Sequence, residues 1–163
     1  MTGSGSFHVT TPSDREIAMT RVFEVPRQLV FEAITQPELV SQWLLGPPGW
    51  SMPVCEIDLR VGGKYRYVWR HQNGKEMASG GEFREIVPPE RLVATERFED
   101  PWYPGEGIAT WTLAEAGGTT TLILTMLYDS QQTRDVALRT GMEKGVAISF
   151  DRLEELVAGG GRE

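Results

Sequence analysis

Residues 62–70 constrain the fold more than any other stretch of this sequence. A glycine pair that permits a sharp turn precedes the run Lys-Tyr-Arg-Tyr-Val-Trp-Arg, in which a large ring recurs at every second position. Side chains of a β-strand alternate between the two faces of a sheet, so Tyr65, Tyr67 and Trp69 share one face. We therefore predict a strand whose rings form one wall of an apolar pocket.

The length and charge of the chain exclude several classes of function. The 163 residues fit one domain, which we place at residues 14–163 after a flexible leader, rich in Gly, Ser and Thr, at residues 1–13. The net charge of -7 argues against a nucleic-acid partner, because phosphate binding requires clustered Lys and Arg. The apolar runs are too short to span a bilayer and no basic amphipathic helix occurs, so we expect no membrane partner.

Cysteine content and motif content also limit the chemistry. Cys55 is the only cysteine, which excludes an intrachain disulfide and a thiolate zinc cluster and favours a cytoplasmic location. It lies in a strand-like run with no base nearby in sequence, and we interpret it as a core or wall residue. The sequence also lacks HExxH, an EF-hand loop and a phosphate-binding glycine loop, so we predict no metal and no cofactor.

The predicted elements follow the order strand, two short helices, a run of strands and a long helix. Residues 16–25 alternate as a strand, Pro26 suits the first position of a helix, and Thr35 and Glu38 have the spacing of a capping box for a second helix. With residues 16–25, we count about seven strands joined by Gly- and Pro-rich turns, an antiparallel meander. The other strands are predicted at residues 52–59, 64–70, 76–87, 91–98, 108–114 and 119–128, with a bulge or bend at Gly80–Gly81.

Residues 130–157 are predicted to form one long C-terminal helix, because apolar residues recur there at helical spacing. Gly141 and Gly145 lie four residues apart, which permits close backbone approach or a kink. This order of elements specifies an α+β fold rather than a parallel doubly wound sheet. One helix cannot fill the space beneath a curved sheet of this width, so we expect a cavity between them.

Large side chains that share strand parity, or that lie on the buried face of a helix, are the candidate ligand-binding residues. Apolar walls with few polar groups are typical of small-molecule sites, and the alternative is that these rings interlock as a dry core. The candidates are Trp43, Trp50, Tyr65, Tyr67, Trp69, Phe83, Glu96, Phe98, Trp111, Met126, Met142 and Phe150.

Polar residues on the predicted strands and turns are further candidates for chemistry in such a cavity. Glu96 has the parity of Phe98, and Glu85 has the parity of Phe83, so both are candidates to point inward. A buried carboxyl group has a raised pKa and is suited to general acid or base catalysis, although exposed glutamate is the commoner outcome. His71 begins a hairpin turn and has no recognisable triad or metal partner.

The loop at residues 100–107 is longer than a hairpin requires. It carries Trp102 and Tyr103, which would form a lid over the cavity, anchor the loop, or contact a second subunit in a homodimer.

Several segments, in order along the chain, resemble the family homologous to the activator of heat-shock-protein-90 ATPase. This family belongs to the START-like (SRPBCC) helix-grip superfamily, which includes the pollen-allergen-like proteins. The resemblance implies a curved antiparallel sheet wrapped around a long C-terminal helix, with a cavity between them. The segments that carry it are residues 23–31, 35–43, 59–67, 83–92 and 141–153.

The residues and the resemblance together favour one function and leave two alternatives. Members of the superfamily bind or carry hydrophobic small molecules, so the first hypothesis is a cofactor-free protein that binds a small hydrophobic ligand. The second is a cavity enzyme of the cyclase, dehydratase or hydrolase type. It would be favoured if two or more candidate polar groups converged on one pocket, the candidates being Glu96, Glu85, His71 and Tyr103. The third is a co-chaperone-like interaction module.

Overall fold

The computed structural model describes residues 7–100 and 105–160, which form an α+β fold with a curved antiparallel sheet. Within these residues the sheet has eight strands in the order β1-β2-β8-β7-β6-β5-β4-β3. The predicted fold class is confirmed. The strands are β1 His8–Thr10, β2 Glu16–Phe23, β3 Trp50–Ile57, β4 Lys64–His71, β5 Glu76–Val87, β6 Arg91–Phe98, β7 Gly107–Ala116 and β8 Thr119–Leu127, and the helices are α1 Arg27–Thr35, α2 Pro37–Trp43, α3 Gln131–Arg139 and α4 Met142–Gly160.

Strand β1 accounts for the difference between the observed strands and the seven expected. It lies within the residues assigned to a leader and pairs antiparallel with β2, with Val9 opposite Met19. Three residues are too short to show a recognisable alternation. Pairing with the exposed edge of β2 therefore forms this strand, and its own sequence shows no strand pattern.

The junction between α1 and α2 differs from the predicted capping box. The Thr35 hydroxyl donates to the Phe31 carbonyl oxygen at 2.7 Å, so Thr35 belongs to the last turn of α1. Gln36 is the N-cap of α2 and makes no side-chain capping bond. Pro37 explains the difference, because a residue that precedes proline is pushed into the extended conformation, which ends one helix before the next begins.

The predicted single C-terminal helix is two helices. Gly141 has a φ of 75°, and its N–H donates to the Leu138 carbonyl oxygen at 3.1 Å, which closes the end of α3. Glycine adopts this left-handed conformation without the steric cost that a Cβ would impose. The prediction failed because the apolar spacing continues on both sides of Gly141.

Helix α4 is packed unevenly along its length. It lies against α1, α2 and β2. Phe150 near its centre and Leu153 and Val157 in its second half are buried, whereas Met142 and Val146 in its first half are only partly buried. The closely packed part of the core therefore lies under the C-terminal half of α4.

A buried ion pair joins this half of α4 to the sheet. Arg21 lies on the inner face of β2 with 1% of its surface exposed, and its guanidinium donates to Asp151 at 2.8 Å and to Glu154. It also lies over the Phe23 ring, with its central carbon 5.7 Å from the ring centroid. Because a buried cation is costly unless it is paired, this contact restricts where α4 can lie on β2.

Gly80 and Gly81 bring β5 unusually close to its neighbours. A Cβ at Gly81 would lie 1.9 Å from the Thr95 carbonyl oxygen. The missing side chains also leave room for Tyr65 on β4 to reach across β5 and donate to that same oxygen at 2.7 Å. The register shift of this strand lies further on, between Phe83 and Glu85.

We expect Gly81→Ala to lower the free energy of unfolding by about 3 kcal/mol, because the added methyl group has no space beside Thr95. Urea unfolding monitored by circular dichroism would measure the change. Gly145→Ala is the matched control, since its Cβ would meet only Pro47 at 3.8 Å, and we expect it to stabilise helix α4 by about 0.5–1 kcal/mol. An unchanged unfolding midpoint for Gly81→Ala would contradict the close approach.

Replacing both acidic partners of Arg21, in the double variant Asp151→Asn and Glu154→Gln, leaves a buried cation without its carboxylates. We expect the free energy of unfolding to fall by about 2 kcal/mol. This is less than for a fully buried pair, because the two carboxylate side chains are 48% and 26% exposed. Glu155→Gln removes a charge from an exposed position of the same helix and should leave stability unchanged. If the double variant and Glu155→Gln changed the free energy of unfolding by the same amount, the two carboxylates would not be what stabilises Arg21 in the core.

Candidate functional site

A cavity of about 260 Å³ lies between the inner face of the sheet and the first half of α4. Eleven of the twelve candidate ligand-binding residues line it, and that they bind a ligand stays a prediction. The eleven are Trp43, Tyr65, Tyr67, Trp69, Phe83, Glu96, Phe98, Trp111, Met126, Met142 and Phe150.

The aromatic strand β4 forms one wall of the cavity, as its alternation predicts. The ring centroids of Tyr65 and Tyr67 are 5.0 Å apart, and those of Tyr67 and Trp69 are 5.8 Å apart. The Trp69 ring is nearly parallel to Phe98 of β6, with an interplanar angle of 25°. The wall is therefore a continuous aromatic surface across β4 and β6.

Several lining residues were not among the sequence candidates. Counting back by two from Phe83 reaches Ser79 and Met77, so strand parity could have found both. Sequence alone does not show that the apolar side chains of α1 and α2 face the same space as β4. The lining residues missed in this way include Ile34, Val40, Leu44, Met77, Ser79, Leu92, Ala94, Ala109, Val146 and Ser149.

Trp50 is the candidate that does not line the cavity. It pairs with His71 at the far end of β3 and β4, and the two rings meet edge to face with centroids 5.0 Å apart. This position is beyond Trp69 along β4. The strand pattern could not place it, because the register of β3 shifts between Ser51 and Val54.

Glu85 and His71 also lie outside the cavity lining. The β-bulge between Phe83 and Glu85 reverses the expected parity, so Glu85 is exposed and accepts a hydrogen bond from Arg91 at 3.1 Å. His71 accepts a hydrogen bond from the backbone N–H of Asn73 through Nδ1 at 3.2 Å. Trp102 and Tyr103, the predicted lid residues, lie outside the described residues.

Most polar atoms of the lining aromatic residues are engaged by the protein backbone. Such bonds leave the ring faces as apolar surface and fix their orientation. Three indole and phenol groups donate in this way: Trp43 to Ala33 O at 2.8 Å, Trp69 to Leu44 O at 2.7 Å, and Tyr65 to Thr95 O at 2.7 Å. Ser149, from α4, accepts from the backbone N–H of Gly46 at 2.9 Å.

Glu96 is the acidic residue that the structure brings to the lining. Burial is the main cause of a raised pKa at Tyr65, Tyr67 and Tyr128, and the negative charge of Glu96 contributes to all three shifts. At Tyr67 the neighbouring Cys55 thiol contributes more than Glu96 does. These phenol groups therefore remain protonated at neutral pH and keep their capacity to donate hydrogen bonds.

Residues 24–158 match the family model described as Activator of Hsp90 ATPase homolog 1-like protein. The chain belongs to this family. The match confirms the resemblance carried by its sequence segments and agrees with the helix-grip fold. Among proteins with curated descriptions, none matches this sequence.

Solved structures of bacterial proteins share the fold of this family member. A protein from Rhodobacter sphaeroides is 25% identical with a TM-score of 0.88, over 94% of this chain and 98% of that one. A protein from Chromobacterium violaceum is 30% identical with a TM-score of 0.75, over 89% and 98% of the two chains. An AHSA1 protein from Silicibacter pomeroyi is 22% identical with a TM-score of 0.72, over 88% and 97%, and shows the fold alone.

Two further findings concern the described residues. No group of three or more His, Cys, Asp or Glu side chains within residues 7–100 and 105–160 has an arrangement that could hold a metal ion. Among the helices formed by these residues, none combines the length and the hydrophobicity that crossing a membrane requires.

Cys55 lies on β3 opposite Tyr67 and is partly buried. Burial, with a smaller contribution from the charge of Glu38, raises the pKa of its thiol to about 11 from an ordinary value of 9.0. At neutral pH the thiolate, which is the reactive form, is therefore scarce. A thiol of low reactivity agrees with the interpretation of Cys55 as a core or wall residue, and Cys55 is not among the residues that line the cavity.

We expect iodoacetamide to alkylate Cys55 at pH 7.5 on the order of a hundredfold more slowly in the folded protein than in urea, since two pKa units separate the two states. Mass spectrometry of timed samples would measure both rates. Similar rates in the folded and unfolded states would contradict the raised pKa.

Proposed function

We propose that this chain binds a small hydrophobic ligand in the cavity between its sheet and α4. The observation that carries the proposal is an apolar, aromatic-lined space of about 260 Å³ in which the indole groups of Trp43 and Trp69 donate to backbone oxygens. An apolar ligand would gain the free energy of leaving water without leaving those groups unsatisfied. The lone cysteine supports a cytoplasmic setting for this binding.

The volume limits the size of the ligand. Cavities of about 150 Å³ accept benzene, and pockets for drug-sized molecules begin near 300 Å³. The volume of this cavity lies between these two values. It favours a ligand whose apolar part is one or two rings or a short branched chain. The aromatic faces of Tyr67, Trp69 and Phe98 favour a flat ligand.

The distribution of polar residues favours binding over catalysis. An enzyme of the cyclase, dehydratase or hydrolase type would require at least two of the candidate polar groups in one place. Among the candidates in the described residues, Glu96 lines the cavity, whereas Glu85 and His71 lie elsewhere.

The proposal is tested first by native mass spectrometry of the purified protein, followed by solvent extraction and identification of any bound compound. We expect a small hydrophobic molecule at a ratio of one per chain, or an empty chain that takes up one molecule of added phenylbutanol. A protein that is empty and takes up none would contradict the proposal.

We expect Trp69→Ala to weaken phenylbutanol binding about tenfold, because it removes a large apolar contact surface from the wall. Isothermal titration calorimetry would measure the dissociation constant. Trp50→Ala is the matched control, since it also removes an indole side chain, but from a position outside the cavity. This variant should bind phenylbutanol as tightly as the unmodified protein does. Equal weakening by both variants would argue against the cavity as the binding site.

A further inference from the structure

The lining of the cavity contains one carboxyl group, Glu96 of β6, among the described residues. It stands on the inner face between Ala94 and Phe98, which both line the same space. A carboxylate on an apolar wall is costly to desolvate, so its position affects which ligand groups can be placed beside it.

The strands on either side of Glu96 carry small residues at this level. Gly107 of β7 lies directly opposite Glu96 in the register and provides no side chain. On the other side, β5 contributes Ser79 and Gly81, and Tyr65 and Tyr67 of β4 lie opposite these two residues. Space beside the carboxyl group is therefore left on the β7 side, since on the β5 side Tyr65 crosses to the Thr95 carbonyl oxygen.

The charges of the lining also discriminate between ligands. No Lys, Arg or His occurs among the described residues that line the cavity. A ligand carboxylate would find no cation there and would be repelled by Glu96, and the net charge of -7 adds to that repulsion. An ammonium or hydroxyl group would instead find an acceptor.

We propose that Glu96 accepts a hydrogen bond from a donor group on the ligand, and that the cavity selects apolar amines, and next alcohols, over carboxylates such as fatty acids. This inference rests on the proposed function and specifies the class of its ligand. Hydrogen bonds from an ammonium group to a carboxylate are roughly twice as strong as bonds between neutral groups. The aromatic wall would hold the ligand body while Glu96 binds its polar end.

Three probes that share a phenylbutyl body and differ only in their polar end test this selection: 4-phenylbutylamine, 4-phenylbutanol and 5-phenylpentanoate. Isothermal titration calorimetry on the unmodified protein should give the tightest binding for the amine and the weakest for the carboxylate. In Glu96→Gln we expect amine affinity to fall about tenfold and carboxylate affinity to rise, since the charge is lost while the shape is kept.

Glu85→Gln is the matched control, because it makes the same change of net charge at an exposed position outside the cavity. This variant should bind the three probes in the same order of affinity as the unmodified protein. That result would distinguish the effect of the Glu96 carboxylate from the effect of the net charge. The order measured on the unmodified protein tests the inference even if Glu96→Gln does not fold.

The outcomes separate this inference from the proposed function. If the carboxylate binds as tightly as the amine, or if Glu96→Gln keeps the full preference for the amine, the inference is overturned while ligand binding stands. If the protein, freed of any co-purifying compound, binds none of the three probes, phenylbutanol included, the proposed function fails and the inference fails with it.

Discussion

The buried guanidinium of Arg21 determines where α4 can lie, and the shape of the interior follows from that position. Because Arg21 is held between Asp151 and Glu154, the second half of α4 must lie over β2. Leu153 and Val157 are then buried at this end of the helix. The side chains of the first half of the helix, Met142 and Val146 among them, do not complete the packing, and a cavity remains beside them.

The cavity wall is held in place by bonds that do not depend on a ligand. The Trp43, Trp69 and Tyr65 side chains each donate to a backbone carbonyl oxygen, so their ring orientations are set before anything binds. Gly81 contributes by its lack of a side chain, because β5 can then approach Thr95 and leave Tyr65 space to cross it. A site arranged in advance loses little entropy on binding, which favours affinity from a small contact surface.

The predictions from sequence succeeded where a pattern is local and failed where it is interrupted. The alternation in β4 placed Tyr65, Tyr67 and Trp69 on one wall, and the order of elements specified the α+β fold. Glu85 was misplaced because a β-bulge reverses parity without leaving a clear mark in the sequence. The long C-terminal helix was predicted as continuous because apolar spacing does not report the left-handed conformation at Gly141.

Along each uninterrupted strand, the side chains that face inward can be read from the sequence, because a fixed period of two leaves no freedom once the strand forms. The tertiary structure sets which of these inward-facing side chains meet in one place. It brought Glu96 and Ser79 into the same space as Met142 and left Trp50 outside. The contacts among these side chains depend on strand register and on the position of α4. Both are set by interactions between residues far apart in the chain.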